Sequence, residues 1–280
     1  MGGWFAVGSV MLACMPVPGF CAPQLAIVRD VPDAYSRCLR TQDVTIDVDR
    51  ARTQHREYVA ALVAAGIEVQ HLPGDEAHPD ACFVEDTAVL LGPRAMISRP
   101  GAPSRRGECG PVAAGLAGRC ELHTLGESAI LDGGDVLRAG SRLFVGLSGR
   151  TDLAGARALA ALAALEQLTV HTVPVAAGLH LKSAVTLVDE RTLVVLDGAL
   201  DPDAFTAAGL EILRVHEPAG GNVLALGSRV LVSADAPATA ALLAARGHDV
   251  WVVDVSEFHR GDGALTCLSL RQPPPGGWCA

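Results

Sequence analysis

The sequence predicts an α/β protein in which strand-strand-helix-strand modules are arranged in a ring. Helical stretches alternate with short apolar strands along nearly the whole chain. Between them, pairs of strands are joined by turns of similar chemistry: Gly92-Pro93-Arg94, Gly140-Ser141-Arg142 and Gly227-Ser228-Arg229. Glycine supplies backbone conformations that other residues reach only at a cost, so the recurrence marks an internal repeat. The unit returns about five times over about 250 residues, and repeats too small to bury a core alone stack on their neighbours.

Five stretches carry helical periodicity, roughly 48–65, 104–118, 151–166, 201–209 and 236–246. The first puts Tyr58, Leu62 and Ala65 on one face, stops at Gly66 and passes into the alternating strand Ile67–Leu72. The last repeats that plan, with Ala240, Leu243 and Ala244 before Gly247 and the strand Val250–Val253. The strand pairs are Ala88–Leu91 with Ala95–Ser98, Val136–Arg138 with Leu143–Leu147, and Val223–Leu226 with Val230–Ser233. The ring closes where a strand over Ala264–Leu270 meets the N-terminal strand Leu25–Val28. No linker interrupts 25–271, which reads as one domain, and 272–280 reads as a flexible tail.

Residues 1–24 read as a disordered leader or a misassigned start, in preference to a signal peptide. No Lys or Arg precedes Arg29, and Pro16, Pro18 and Gly19 interrupt the apolar run from Phe5 to Phe20. The same interruptions argue against a membrane span, which needs about 20 mostly apolar residues in one helix.

Composition narrows the partners. The chain is 50% hydrophobic and carries a formal net charge of -9, with 31 acidic against 22 basic residues. A phosphate backbone or an anionic membrane surface needs clustered positive charge, so neither suits this chain, whereas a cationic small molecule does. The eight cysteines form no CxxC pair and no Cys/His cluster at structural-zinc spacing. Reduced thiols and a cytoplasmic location are expected.

The residues that break the apolar pattern are the candidates for chemistry. Asp75 to Asp86 packs five acids into twelve residues, and Cys82-Phe83-Val84 sets Glu85-Asp86 at a partly buried strand end. Repelling carboxylates there call for a cation, although an acidic run is often only a solvated loop. Ser104 reads as a helix N-cap after a Pro/Gly-rich loop. Arg105 and Arg106 oppose the helix dipole, which suggests an anionic partner. In Asp132-Gly133-Gly134-Asp135 the glycines permit close backbone approach between carboxylates. His180 lies between leucines, and Cys267 follows a Gly-Asp-Gly loop into an apolar strand. Each alone reads as a core residue as readily as a catalyst. Together Cys267, His180 and Asp132 have the composition of a thiol, a base and an orienting acid.

Five motifs in order, Pro79-Asp80 with Phe83-Val84-Glu85-Asp86, Arg99 to Arg106, Leu131 to Val136, Leu179-His180-Leu181-Lys182, and Gly263 to Cys267, closely resemble dimethylarginine dimethylaminohydrolase. The resemblance runs from about residue 25 to 271. It implies a pentein-type α/β propeller of five ββαβ modules around a pseudo-fivefold axis. The activity it implies is hydrolysis of N-ω-methylated arginine to citrulline and a methylamine, without metal or organic cofactor. It further implies that Cys267 is the nucleophile, His180 the general acid and base, and Asp132 its orienting acid. Asp80, Glu85 and Asp86 are the implied ligands of the substrate's cationic groups, and Arg105 and Arg150 the partners of its α-carboxylate. Leu39 and Gly261 resemble positions that contribute backbone contacts. Another pentein such as an arginine deiminase and a non-catalytic pentein interaction protein remain alternatives at this level, and pairing as a homodimer is left open. Any zinc bound by a low-pKa Cys267 thiolate is expected to inhibit.

Overall fold

The computed structural model describes residues 22–176 and 178–272. The expectation for the leader falls mostly on residues 1–21, which lie outside the described residues, as do 273–280 of the expected tail. The strand β1 (Leu25–Arg29) is followed by α1 (Val48–Ala64) and β2 (Glu68–Leu72). Then come β3 (Ala88–Leu90), β4 (Arg94–Ile97), α2 (Cys109–Leu116) and β5 (Glu121–Thr124). The third group is β6 (Val136–Ala139), β7 (Arg142–Leu147), α3 (Leu153–Ala164) and β8 (Thr169–Pro174). The fourth is β9 (Val185–Leu187), β10 (Thr192–Leu196), α4 (Asp203–Ala207) and β11 (Glu211–Val215). The fifth is β12 (Leu224–Leu226), β13 (Arg229–Ser233), α5 (Pro237–Ala245) and β14 (Asp249–Val253), before the short α6 (Ser256–His259) and β15 (Leu270–Gln272).

These elements form five three-stranded sheets. In each, an inner strand pairs antiparallel with the middle strand, and a helical crossover returns the chain parallel on the other side, as a ββαβ module requires. The first module is split between the chain ends: β15 pairs antiparallel with β1, Gln272 opposite Leu25, and β1 pairs parallel with β2.

Nearly every middle strand is an apolar run because both of its faces are buried, each in a different core. In β4, Ala95 and Ile97 enter the cluster under α2 while Met96 enters the cluster under α3. In β7, Leu143 and Val145 join the α3 cluster and Phe144 the next one, where it packs on Phe205 with ring centroids 4.7 Å apart. The period of two thus divides one strand between neighbouring modules and locks the ring.

The hairpin glycines behave as their turns require, with φ of +120° at Gly92, +57° at Gly140 and +69° at Gly227. The fourth hairpin lacks a glycine: Asp189 Oδ1 instead accepts from the backbone N–H groups of Arg191 and Thr192.

Two expectations need correction. Ala264–Leu270 is not one strand: Leu265–Leu268 forms a single 3₁₀ turn and only Leu270–Gln272 pairs with β1, so Gln272 belongs to the sheet. The helical stretch at 104–118 opens as a 3₁₀ turn, Pro103–Glu108, with no side-chain cap. Pro103 occupies its first turn, where a missing N–H costs nothing, and Ser104 is not the cap. Among the described residues no helix is long and apolar enough to cross a membrane.

Candidate active site

Directly before each inner strand the chain makes one 3₁₀ turn: Val84–Thr87, Gly133–Asp135, Leu181–Ser183, Pro218–Gly221 and Leu265–Leu268. The turns crowd at the centre of the ring, and four of them, with the residues flanking them, supply Asp86, Asp132, His180 and Cys267. Glycine makes the crowding possible. A Cβ on Gly133 would lie 2.1 Å from the Glu85 carbonyl oxygen, and one on Gly134 would lie 2.6 Å from Asp86 Oδ1. The close approach expected of the Asp-Gly-Gly-Asp segment is therefore real.

His180 and Asp132 are buried, with His180 Nε2 2.9 Å from Asp132 Oδ2. Asp132 is held from behind, its Oδ1 accepting from Gly101 N at 2.9 Å and its own N–H donating to Thr151 Oγ1. The turn after His180 is pinned by Asp135, whose Oδ1 accepts from Leu181 N at 2.8 Å. Burial favours a neutral imidazole, but the charge of Asp86, the hydrogen bond to Asp132 and the charge of Asp135 outweigh it and raise the His180 pKa.

Asp86 Oδ1 accepts from Gly134 N at 2.9 Å and Oδ2 from Arg105 Nη1 at 2.6 Å. Burial works against its ionisation, yet His180 and Arg105 hold the carboxyl below the usual carboxylate range. Asp86, Asp132 and His180 bring donor atoms within 4.8 Å of one another, a small focus of negative charge beside the ring nitrogen.

Cys267 is half-buried in the Leu265–Leu268 turn and lines one pocket with Asp86, His180, Asp80 and Arg150. Burial, then the charges of Glu85 and Asp86, push its thiol up to about 12, with Lys182 acting weakly the other way. With no cation in the pocket, this burial favours the thiol over the thiolate.

Two loops close over this pocket. Leu39 N donates to Asp80 Oδ1 at 3.0 Å, and Asp262 accepts from Thr41 N and Oγ1. Gly261 fits only as glycine, since a Cβ there would meet Tyr35 Oη at 2.6 Å. About 20 Å³ of free space remains inside.

A family profile described as N,N dimethylarginine dimethylhydrolase, eukaryotic, matches residues 27–268. The N(G),N(G)-dimethylarginine dimethylaminohydrolase of Streptomyces coelicolor is 41% identical over 230 residues, 81% of this chain and 87% of that protein. This chain belongs to the dimethylarginine dimethylaminohydrolase family. The Pseudomonas aeruginosa member is 30% identical over 229 residues, 80% of this chain and 89% of its own. A solved structure of a mutant of the P. aeruginosa protein complexed with citrulline superposes with a TM-score of 0.85 at 28% identity, covering 89% of this chain and 99% of that one. The N-terminal domain of ArgZ, at 18% identity and a TM-score of 0.79 over 88% of this chain and 97% of that one, shares the fold.

Within this family member, the expected site residues divide into two groups. Cys267, His180, Asp86, Asp80, Arg105, Arg150, Leu39 and Gly261 line one pocket, with Asp132 directly behind His180. Glu85 does not line it. Its Oε1 meets Lys182 Nζ at 2.6 Å and Arg271 Nη2 at 2.7 Å, and its Oε2 accepts from Thr266 Oγ1, so the carboxylate faces away and is already neutralised. Arg105 reaches the pocket with most of its donors spent on Asp86, Glu108 and the Phe83 carbonyl. Arg150 differs: its buried Nη1 has no hydrogen-bond partner and stands 3.8 Å from Asp132 Oδ2.

Sequence reading missed Asn222. Its amide oxygen accepts from Thr266 N at 3.1 Å, and its Nδ2 donates to Thr266 Oγ1 at 2.9 Å and to the Lys182 carbonyl at 2.8 Å. It joins the turn of Cys267 to the turn after His180. The available signal was its position, just after the 3₁₀ turn of its own module.

Proposed function

We propose that this chain hydrolyses asymmetric dimethylarginine and monomethylarginine to L-citrulline and dimethylamine or methylamine. The observation that carries the reading is the buried Asp132–His180 pair at 2.9 Å in contact with a pocket that also holds Cys267 and Asp86, in a member of this family. The substrate's guanidinium sits against Asp86, its α-ammonium against Asp80 and its α-carboxylate against the unpartnered Arg150 Nη1. Arg105 keeps Asp86 ionised and aimed, and Glu85 supports the site from behind. Leu39 and Gly261 offer backbone groups to the amino-acid end, and the Leu39–Thr41 loop opens for entry, since about 20 Å³ admits no amino acid.

The bound cation sets the order of events. A guanidinium beside Asp86 offsets the negative charge that holds the thiol protonated, so Cys267 loses its proton to solvent once substrate is bound. The thiolate sulfur then bonds to the guanidinium carbon. Protonated His180 gives its proton to the methylated nitrogen, the C–N bond breaks, and the amine departs from a covalent thiouronium. Neutral His180 next takes a proton from water as the oxygen bonds to the same carbon. The C–S bond breaks, citrulline is released, and the thiolate takes up a proton again.

The test is citrulline release from dimethylarginine, monomethylarginine and unmethylated arginine by the wild type and Cys267→Ser, with acid-quenched protein weighed for an adduct. The expected result is turnover of methylated substrates, none in Cys267→Ser, and an adduct on Cys267. Turnover of unmethylated arginine alone would replace this reading with a deiminase. An active enzyme that never carries an adduct would remove Cys267 from the chemistry.

A further inference from the structure

A cavity of about 400 Å³ occupies the centre of the ring, back to back with the pocket of Cys267. Adjacent residues divide between the two spaces: Asp86 and Cys267 line the pocket, Glu85 and Thr266 the cavity. Each inner strand contributes to its wall, through Val89, Leu137, Leu187, Ala225 and Leu270. The wall is therefore apolar and built from five rigid sheet edges, the setting in which small-molecule sites of about 300–1,000 Å³ occur.

Its charge runs opposite to that of the protein. The chain as a whole carries -9, yet this cavity is lined by Arg138, Lys182, Arg191 and Arg271 against only Glu85 and Glu190. At the floor, Lys182 and Arg271 share the single carboxylate of Glu85. An ammonium has three donors, and among the described residues the charged partner of Lys182 is Glu85 alone. On the wall, Arg138 donates through Nε to the Gly140 carbonyl, while its buried Nη1 has no partner. Glu190 Oε1, also buried on this wall, likewise has no partner, but with four cationic side chains lining the cavity against two carboxylates the unmet donor of Arg138 and the excess positive charge call for an acceptor that is itself anionic.

We infer that this axial cavity is a second binding site, taking a small organic anion with an apolar body, of the class of short-chain monocarboxylates. The carboxylate meets the excess cationic donors and the chain lies along the five inner strands. Each methylene added tightens binding about fourfold until the cavity is filled. The site is independent of the reaction at Cys267, because the Glu85 turn closes it off from that pocket.

The test is calorimetric titration of the intact protein with butanoate and hexanoate, with hexan-1-ol and hexylamine as uncharged and cationic controls, repeated with saturating citrulline. Ala225 belongs to none of the apolar core clusters, so Ala225→Phe fills the cavity with little cost to packing. Arg138→Gln removes the unpartnered donor while the wall is kept. The expected result is saturable binding of one hexanoate per chain, tighter than butanoate, weaker for both controls and unchanged by citrulline. Hexanoate affinity is expected to fall at least about tenfold in Ala225→Phe and about fivefold in Arg138→Gln. The inference is overturned by the absence of saturable binding, by hexylamine binding as well as hexanoate, by displacement with citrulline, or by undiminished affinity in folded Arg138→Gln.

Discussion

Replacing Asp132 by Asn isolates what one buried carboxylate does for His180. Asp132 is fully buried and serves two donors at 2.9 Å, Gly101 N through Oδ1 and His180 Nε2 through Oδ2. Asparagine keeps the volume but offers one acceptor, so one donor is left facing an NH₂. A hydrogen bond to a charged group is worth about 1.5–3 kcal/mol. At about 1.36 kcal/mol per decade, losing it from the transition state slows turnover about 10- to 150-fold. If the imidazole changes tautomer so that Nε2 accepts from the new amide, the loss approaches about 10⁴-fold. The charge change adds a second signature: Asp132 is among the groups that raise the His180 pKa, so its removal lowers that pKa. The alkaline limb of the rate profile, where His180 loses the proton it must give to the departing amine, moves to lower pH. The assay is citrulline release from dimethylarginine, with kcat and KM followed across pH. Thr151→Val is the control, because it removes the acceptor of the Asp132 N–H and a hydroxyl bonded to Asp135 while leaving the Asp132 carboxylate in place, and it should cost about 1 kcal/mol of stability with kcat kept. An Asp132→Asn enzyme that retains more than about a fifth of kcat/KM with an unmoved alkaline limb would refute the reasoning.

Four further outcomes are expected. Lys182→Met leaves the Glu85 carboxylate to Arg271 alone and should lower stability by about 3 kcal/mol in urea unfolding; a change below about 0.5 kcal/mol would mean the pair is solvated. Gly133→Ala drives a Cβ to 2.1 Å from the Glu85 carbonyl oxygen and should cost about 1–3 kcal/mol, read as a lower thermal midpoint; a wild-type midpoint contradicts the close approach. With the thiol pushed up to about 12, iodoacetamide alkylation of Cys267 in the unliganded protein should still be accelerating above about pH 9, and a plateau near pH 8 would contradict a protonated resting state. Asp86 has its carboxyl depressed from 3.8, so its contribution to stability is complete above that value and is lost as pH falls through the lower folded value. Asp86→Asn should flatten that acid segment of the unfolding free energy, and an unchanged slope would count against an ionised Asp86.

The module pattern was legible because it rests on local chemistry. Glycine turns, helix stops such as Gly66, and alternating apolar strands declare themselves within a few residues. The fourth hairpin was harder to see, since the side chain of Asp189 does there what glycine does elsewhere. The strand expected over Ala264–Leu270 was misread because a buried apolar run has the same composition as a strand or as a single 3₁₀ turn. For the same reason Cys267 and His180 carried no decisive local signal and gained meaning only as members of an ordered set of motifs.

By itself the sequence determined the repeat, the acidic balance that suits a cationic small molecule, and the set of side chains able to carry thiol chemistry on a guanidinium. The direction each side chain faces was decided by tertiary structure. Glu85 and Asp86 are neighbours in sequence and alike in chemistry, yet Asp86 lines the pocket of Cys267 and Glu85 turns to Lys182 and Arg271 in the axial cavity. The physical reason is the ring. A 3₁₀ turn at its centre sends successive residues to opposite sides, and ion pairing depends on partners, Lys182 and Arg271, that lie 97 and 186 positions away along the chain and meet Glu85 only when the last strand closes on the first.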